Sequence, residues 1–229
     1  MDIEAHELNT PIGDALWWHG GMEAISRAVI ERNYPRGDSA TGGLIKILAA
    51  GRNTDTVMEY LADYGRVTSL DIASTQTLAD SSFDLIALFN EVRFNGLNDL
   101  DEQIVLDEYR RALKRGGRMF LRLPAYEWLG SKRSPRDKAE NNLRRYTRND
   151  IEQTLTGAGF KVEHISYANT FLFPLAAFRR LVIERISRRP INIGDTNTLF
   201  EAILSAEAKW VARRGLPFGA TVMALARKP

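Results

Sequence analysis

The sequence predicts a single α/β domain, a parallel sheet with helices packed on it. Three observations carry that expectation. Short apolar runs alternate with longer amphipathic ones. The apolar runs are nearly continuous, as suits strands buried on both faces. The 229 residues, 44% of them hydrophobic, suffice for one full core or one core with an appendage.

Taken in chain order, a helix over Met22–Arg32 belongs to an N-terminal helical cap spanning residues 1–43. The loop Arg36–Gly43 (RGDSATGG) joins it to residues 44–229, which hold the sheet. Strands follow at Leu44–Ala50 (LIKILAA), Val67–Ile72 (VTSLDI) and Phe83–Phe89 (FDLIALF), with a helix over Asp55–Tyr64 between the first two. A helix at Leu100–Leu113 stops at Gly116-Gly117, before a strand at Arg118–Leu123 (RMFLRL). Ser131–Asn142 is a polar, charged excursion after that strand. Gly157 and Gly159 end a helix over Asn149–Ala158, and a strand runs through Phe160–Tyr167. Helices at Phe171–Ser187 and Leu199–Arg213 precede the last strand, Thr221–Ala226 (TVMALA).

Composition removes several functions. With no cysteine, disulfides, thiolate catalysis and Cys-based metal sites are excluded. Three scattered histidines, His6, His19 and His164, give no metal-ligand spacing, so no metal is expected. The chain's net charge of +2 gives no argument for nucleic acid, and no recognised nucleic-acid module is present. Basic residues nevertheless cluster: Arg110–Asp150 holds 13 Lys/Arg against 4 Asp/Glu. Such a patch is a solvated face or a means of attracting an anionic substrate or membrane surface. The first residues are acidic and polar rather than signal-like, and no apolar run is long enough to span a bilayer. The expected setting is the cytoplasm.

Four segments then carry a family resemblance. Ala112–Leu129 (ALKRGGRMFLRLPAYEWL), Leu143–Thr147 (LRRYT) with Gly157–Pro174 (GAGFKVEHISYANTFLFP), the C-terminal LPFGATVMALARKP and the N-terminal LWWHGG together resemble class I S-adenosylmethionine-dependent methyltransferases of the type 11-like group. The resemblance covers nearly the whole chain. It implies a Rossmann-like three-layer sandwich whose mostly parallel sheet has an antiparallel last strand. It implies S-adenosylmethionine as cofactor and a small-molecule, glycan or lipid-linked acceptor.

The same resemblance implies site residues, and here the sequence departs from the pattern. In Ile47–Gly65 (ILAAGRNTDTVMEYLADYG), Gly51 matches the first glycine of a Gly-x-Gly-x-Gly turn, while Asn53 and Asp55 stand at the other two. Those glycines let the backbone approach the donor closely. Asn53 tolerates left-handed geometry, and Asp55 suits a helix N-cap but would face the donor's own carboxylate. Ala49 replaces the acid that holds the donor's ammonium group. Asp71 matches the acid that binds the ribose hydroxyls, or is a strand-end turn cap. Phe89 closes the third strand beside the donor. The Asp and Glu-His that follow in the family are out of register in Phe89-Asn90-Glu91-Val92-Arg93, so no catalytic residue is assigned.

Only ASTQTLADSS separates Ile72 from Phe83. A βαβ crossover needs about 30 residues, so one edge strand and its helix are expected to be missing. The exposed edge then calls for cover, by a homo- or hetero-oligomeric partner or by the N-terminal segment.

On the acceptor side the resemblance points to Tyr126, Trp128, Arg144, Arg145 and Tyr146. Two arginines and a tyrosine can fork onto phosphate or carboxylate, or simply begin a basic helix. Trp17, Trp18 and His19 are either a lid over the cleft or a cap packed into the core. Phe171–Arg189 is a sheet cover, a partner contact or an interfacial segment. Two functions remain open: methyl transfer, and a pseudo-methyltransferase that has lost its cofactor and serves as a binding or scaffolding subunit. A changed reaction in the old cleft is a third. One glycine is too little for a nicotinamide-dinucleotide fingerprint.

Overall fold

The structure, a computed structural model, describes residues 12–34, 45–51, 54–70, 78–89, 99–129, 145–174 and 197–229. Its strands are β1 (Ile45–Gly51), β2 (Gly65–Leu70), β3 (Phe83–Phe89), β4 (Leu113–Pro124), β5 (Lys161–Ala168) and β6 (Thr221–Arg227). They form one sheet in the order β2-β1-β3-β4-β6-β5. Pairing is parallel from β2 through β4, and β6 is antiparallel to both β4 and β5. The carboxyl ends of β1 to β5 therefore share one edge. The antiparallel last strand is as expected. So is the shortened edge: among the described residues β2 is outermost, and only residues 71–82 lead from it to β3.

Helices α1 (Ile12–Glu31), α2 (Thr54–Leu61) and α5 (Asn197–Arg213) cover one face. There Met22, Ile25, Tyr60 and Leu204 pack on Ile47, Leu85, Phe120 and Met223. Helices α3 (Asp99–Ala112) and α4 (Arg148–Gly157) cover the other, where Leu106, Tyr109 and Ile151 pack on Leu48, Ile86 and Leu121. Alternate residues of each strand serve opposite faces, which explains the unbroken apolar runs. Among the described residues, no helix is long and apolar enough to cross a membrane.

Two elements differ from the sequence reading. Helix α1 begins at Ile12 rather than Met22 and absorbs the whole LWWHGG segment. It lies against α5 so closely that a Cβ on Gly21 would stand 2.5 Å from the Leu204 side chain. The two glycines of that segment mark a helix crossing. Gly116-Gly117, in turn, does not end a helix. Helix α3 stops at Ala112, Leu113 already pairs with Phe83, and the two glycines lie inside β4. Gly116 takes φ +77, and the register shifts between Phe83 and Leu85, so the pair forms an irregularity of the kind bulges make. Of the segment Phe171–Ser187, Phe173-Pro174 opens a helical turn, and residues 175–187 lie outside the described residues.

Candidate functional site

The chain leaves β1 for β2 on one side and returns to β3 on the other, so strand order reverses between β1 and β3. In open α/β sheets such a switch point leaves a ligand crevice at the carboxyl edge. Gly51, Phe89 and Arg122 stand there in one register row. At a strand spacing of about 4.8 Å, Gly51 and Arg122 are about 10 Å apart across β3. The row belongs to the α1/α2/α5 face, as Ala49, Ala87 and Phe120 do two residues earlier.

Phe89 is fully buried, edge-on to Tyr60 at 6.3 Å and tilted against Phe120 at 5.5 Å. Its ring is committed to the core, so only its backbone borders the crevice. Arg122 crosses above that ring, its guanidinium 4.6 Å from the centroid, and Nη1 donates to Ser26 Oγ at 3.2 Å. Burial lowers the Arg122 pKa, and the neighbouring Tyr60 only partly offsets it. The buried Tyr60 hydroxyl has no hydrogen-bond partner. Its pKa is pushed up to about 12 by burial, against the opposing charge of Arg122.

Helix α1 passes this row at Ser26 and reaches the end of β5 at Met22, whose Sδ lies 3.1 Å from Asn169 Nδ2. Residues before Met22 therefore continue beyond the sheet's carboxyl edge. Trp18 and His19 belong to that stretch, with their side chains outside the described residues.

A second cluster gathers on the same edge. Tyr126 follows β4, Tyr167 nearly ends β5, Phe173 comes after it and Phe218 precedes β6. Tyr126 stacks on Tyr167 at 5.1 Å and on Trp128 at 5.8 Å, and Phe173 bridges Trp128 and Phe218 edgewise at 5.8 and 5.6 Å. Tyr126 holds φ +49, a left-handed conformation costing of order 1–3 kcal/mol that the stacked rings must offset. Burial and then the Tyr167 hydroxyl raise its pKa above the ordinary tyrosine range. Trp128 remains 52% exposed.

Of the predicted acceptor residues, Tyr146 proves to be core. It is 0% exposed, its hydroxyl donates to the buried Glu102 Oε1 at 2.6 Å, and its backbone bridges to Ala125. Arg145 donates to the Ala125 carbonyl at 3.2 Å, holding the loop after β4. Arg144, Asn53, Asp71 and Glu91 lie outside the described residues, and Gly51 is described by its backbone pairing alone.

Sequence reasoning missed Arg122, Ser26, Tyr60 and Glu207. The buried Glu207 accepts from the backbone N–H groups of Thr170 at 3.1 Å and Phe171 at 3.0 Å, fixing the turn beyond β5. Burial raises its pKa despite those bonds. Both Arg122 and Glu207 carried one signal: a charged residue on an otherwise apolar strand or helix face.

The described residues fit one end of S-adenosylmethionine better than the other. Its carboxylate finds a complement in Arg122. Its ammonium group does not, because Ala49 is buried and apolar where an acid was expected.

No protein-family model matches the sequence, and no curated protein matches it. Solved structures do match its fold. A chain of the complex between the Haloferax volcanii Trm112 methyltransferase activator and a methyltransferase is 13% identical, over 94% of this chain and 92% of that one, with a TM-score of 0.53. The Burkholderia thailandensis 1,6-didemethyltoxoflavin-N1-methyltransferase, solved with 1,6-didemethyltoxoflavin and S-adenosylhomocysteine, is 13% identical, over 94% and 82%, at 0.52. A possible histamine N-methyltransferase from Thermotoga maritima is 15% identical, over 94% of each chain, at 0.51. The fold is that of the S-adenosylmethionine-dependent class I methyltransferases.

Proposed function

We propose that this chain binds S-adenosylmethionine beside Gly51 and transfers its methyl group to a small-molecule, glycan or lipid-linked acceptor. The observation that carries this reading is the shared carboxyl edge: the Gly51 switch point and the Tyr126–Trp128 aromatic cluster open on the same side of the sheet. Gly51, Asn53 and Asp71, with the Phe89 backbone, are assigned to the donor. Trp18, His19, Tyr126, Trp128, Arg144 and Arg145 are assigned to the acceptor side. When bound, the donor supplies an electrophilic methyl group on a sulfonium. The chain's own residues then have mainly to align and enclose the acceptor, because positioning can supply most of the rate of such a step. The absence of an assigned base is compatible with that.

A second reading rests on Ala49. With no acid for the ammonium group, the fold would serve as a binding subunit that has lost the donor. The activator complex among the similar folds supports a protein partner under either reading. So does the outermost position of β2, whose Arg66, Thr68 and Ser69 are exposed. Analytical ultracentrifugation showing a strict monomer, alone and in extracts of its source, would remove the partner. Calorimetric titration with S-adenosylmethionine and S-adenosylhomocysteine separates the two readings: micromolar binding supports the enzyme, and a folded protein giving no heat supports the subunit.

A further inference from the structure

The Arg122 environment is unusual for a folded core. A guanidinium has five N–H donors, yet the side-chain acceptor that Arg122 meets is Ser26 Oγ, itself already donating to the Met22 carbonyl at 2.7 Å. Among the described residues no carboxylate pairs with it, whereas Arg27 nearby is held by both Glu23 and Asp63. A charge enclosed without a counter-charge is costly. Beside it, the buried Tyr60 hydroxyl makes no hydrogen bond, which is also costly in a packed interior. The unused N–H groups of Arg122 and the Tyr60 hydroxyl thus converge with no acceptor among the described residues, while Ser26 is already engaged by the Met22 carbonyl. They do so on the register row of Gly51, in the crevice where this sheet order places ligands.

We propose that Arg122 and Tyr60 form a binding site for one carboxylate of a small molecule seated in the cleft, with Ser26 holding the guanidinium in place. Arg122 supplies the charge and a forked pair of donors, and the Tyr60 hydroxyl completes the cradle. The site does not depend on methyl transfer, since any carboxylate-bearing ligand in the crevice would satisfy it. The carboxylate comes either from the amino-acid end of the donor or from a second molecule beside it.

Thermal unfolding of the full chain in acetate, in acetamide and in chloride at matched ionic strength tests the site. Acetate is expected to raise the Tm of the wild type above both controls. Arg122→Met should abolish that increment, and Tyr60→Phe, which keeps the guanidinium, should reduce it and reads the same pocket should Arg122→Met fail to fold. Titrations with S-adenosylhomocysteine and with 5′-methylthioadenosine, which lacks the amino-acid end, identify the source. If the donor supplies the carboxylate, Arg122→Met weakens the first about tenfold, as for loss of a charged hydrogen bond, and leaves the second unmoved. If a second molecule supplies it, neither changes while acetate protection is still lost. Acetate protection no greater than that of the controls, or equal in the wild type and both variants, would overturn the proposal.

Discussion

The two halves of the sheet's carboxyl edge are furnished differently. At the β4–β6–β5 end, polar and aromatic groups are tied into the fold: Tyr146 to Glu102, Arg145 to Ala125, Glu207 to the turn after β5, Tyr126 between Tyr167 and Trp128. At the β1–β3 switch point, the described polar groups are left over. Among the described residues Arg122 meets no carboxylate, and the Tyr60 hydroxyl has no hydrogen-bond partner. Among the described residues the first half is closed by its own bonds, whereas Arg122 and Tyr60 in the second keep unused donors. Stability and binding are therefore expected to separate when each half is mutated.

The largest effect should come from the core that both halves share. Phe120 lies fully buried against Phe89, and Phe120→Ala is expected to cost about 3–5 kcal/mol in denaturant unfolding. A loss near zero would mean that the halves do not share a packed layer. Within the finished half, Tyr146→Phe takes a hydroxyl from the buried Glu102 and should cost about 1–3 kcal/mol while leaving ligand affinity unchanged. Ligand affinity falling in step with stability would return Tyr146 to the binding surface. Thr147 caps α4, its Oγ accepting from the Asp150 N–H while Asp150 accepts from the Thr147 N–H. Thr147→Ala should cost about 1 kcal/mol, read as a shift in the denaturant midpoint.

The smallest effect is pH-dependent. His164 is half-buried, with Nε2 2.7 Å from the Val211 carbonyl and Arg32 near Nδ1. Burial first, then the charges of Arg32 and Arg148, lower its pKa below the ordinary 6.5. The unfolded chain thus takes up the proton at a higher pH than the folded one. The resulting stability is present above pH 6.5 and is lost as pH falls through the folded pKa. His164→Gln should flatten the stability profile on the acid side of 6.5, and an unchanged slope would contradict the assignment.

How much of this was legible in the sequence follows the same division. Phe83–Phe89 was read to the residue because Leu85–Phe89 is an unbroken apolar run buried on both faces. The antiparallel last strand came with the family resemblance, and the missing edge strand followed from the length of one linker. The helix that starts at Ile12 was read from Met22 because glycine is a poor helix former, and only the position of Leu204 shows why Gly20-Gly21 stand inside it. Tyr146 misled because its neighbours in LRRYT are basic, and nothing local announces that Glu102, far away in sequence, will receive its hydroxyl. Arg122 was passed over inside RMFLRL. A charge on a strand buried on both faces is itself a signal, but only the structure shows that no carboxylate among the described residues meets it.

The proposed seat of the methyl donor is the open half, at Gly51. Calorimetric titration of S-adenosylhomocysteine into the wild type and Gly51→Val measures it most directly, with unfolding curves confirming that both are folded. Micromolar binding to the first and none to the second are expected, since valine would fill the space that glycine leaves open. Equal binding to both folded proteins, or no binding to the wild type, would contradict it.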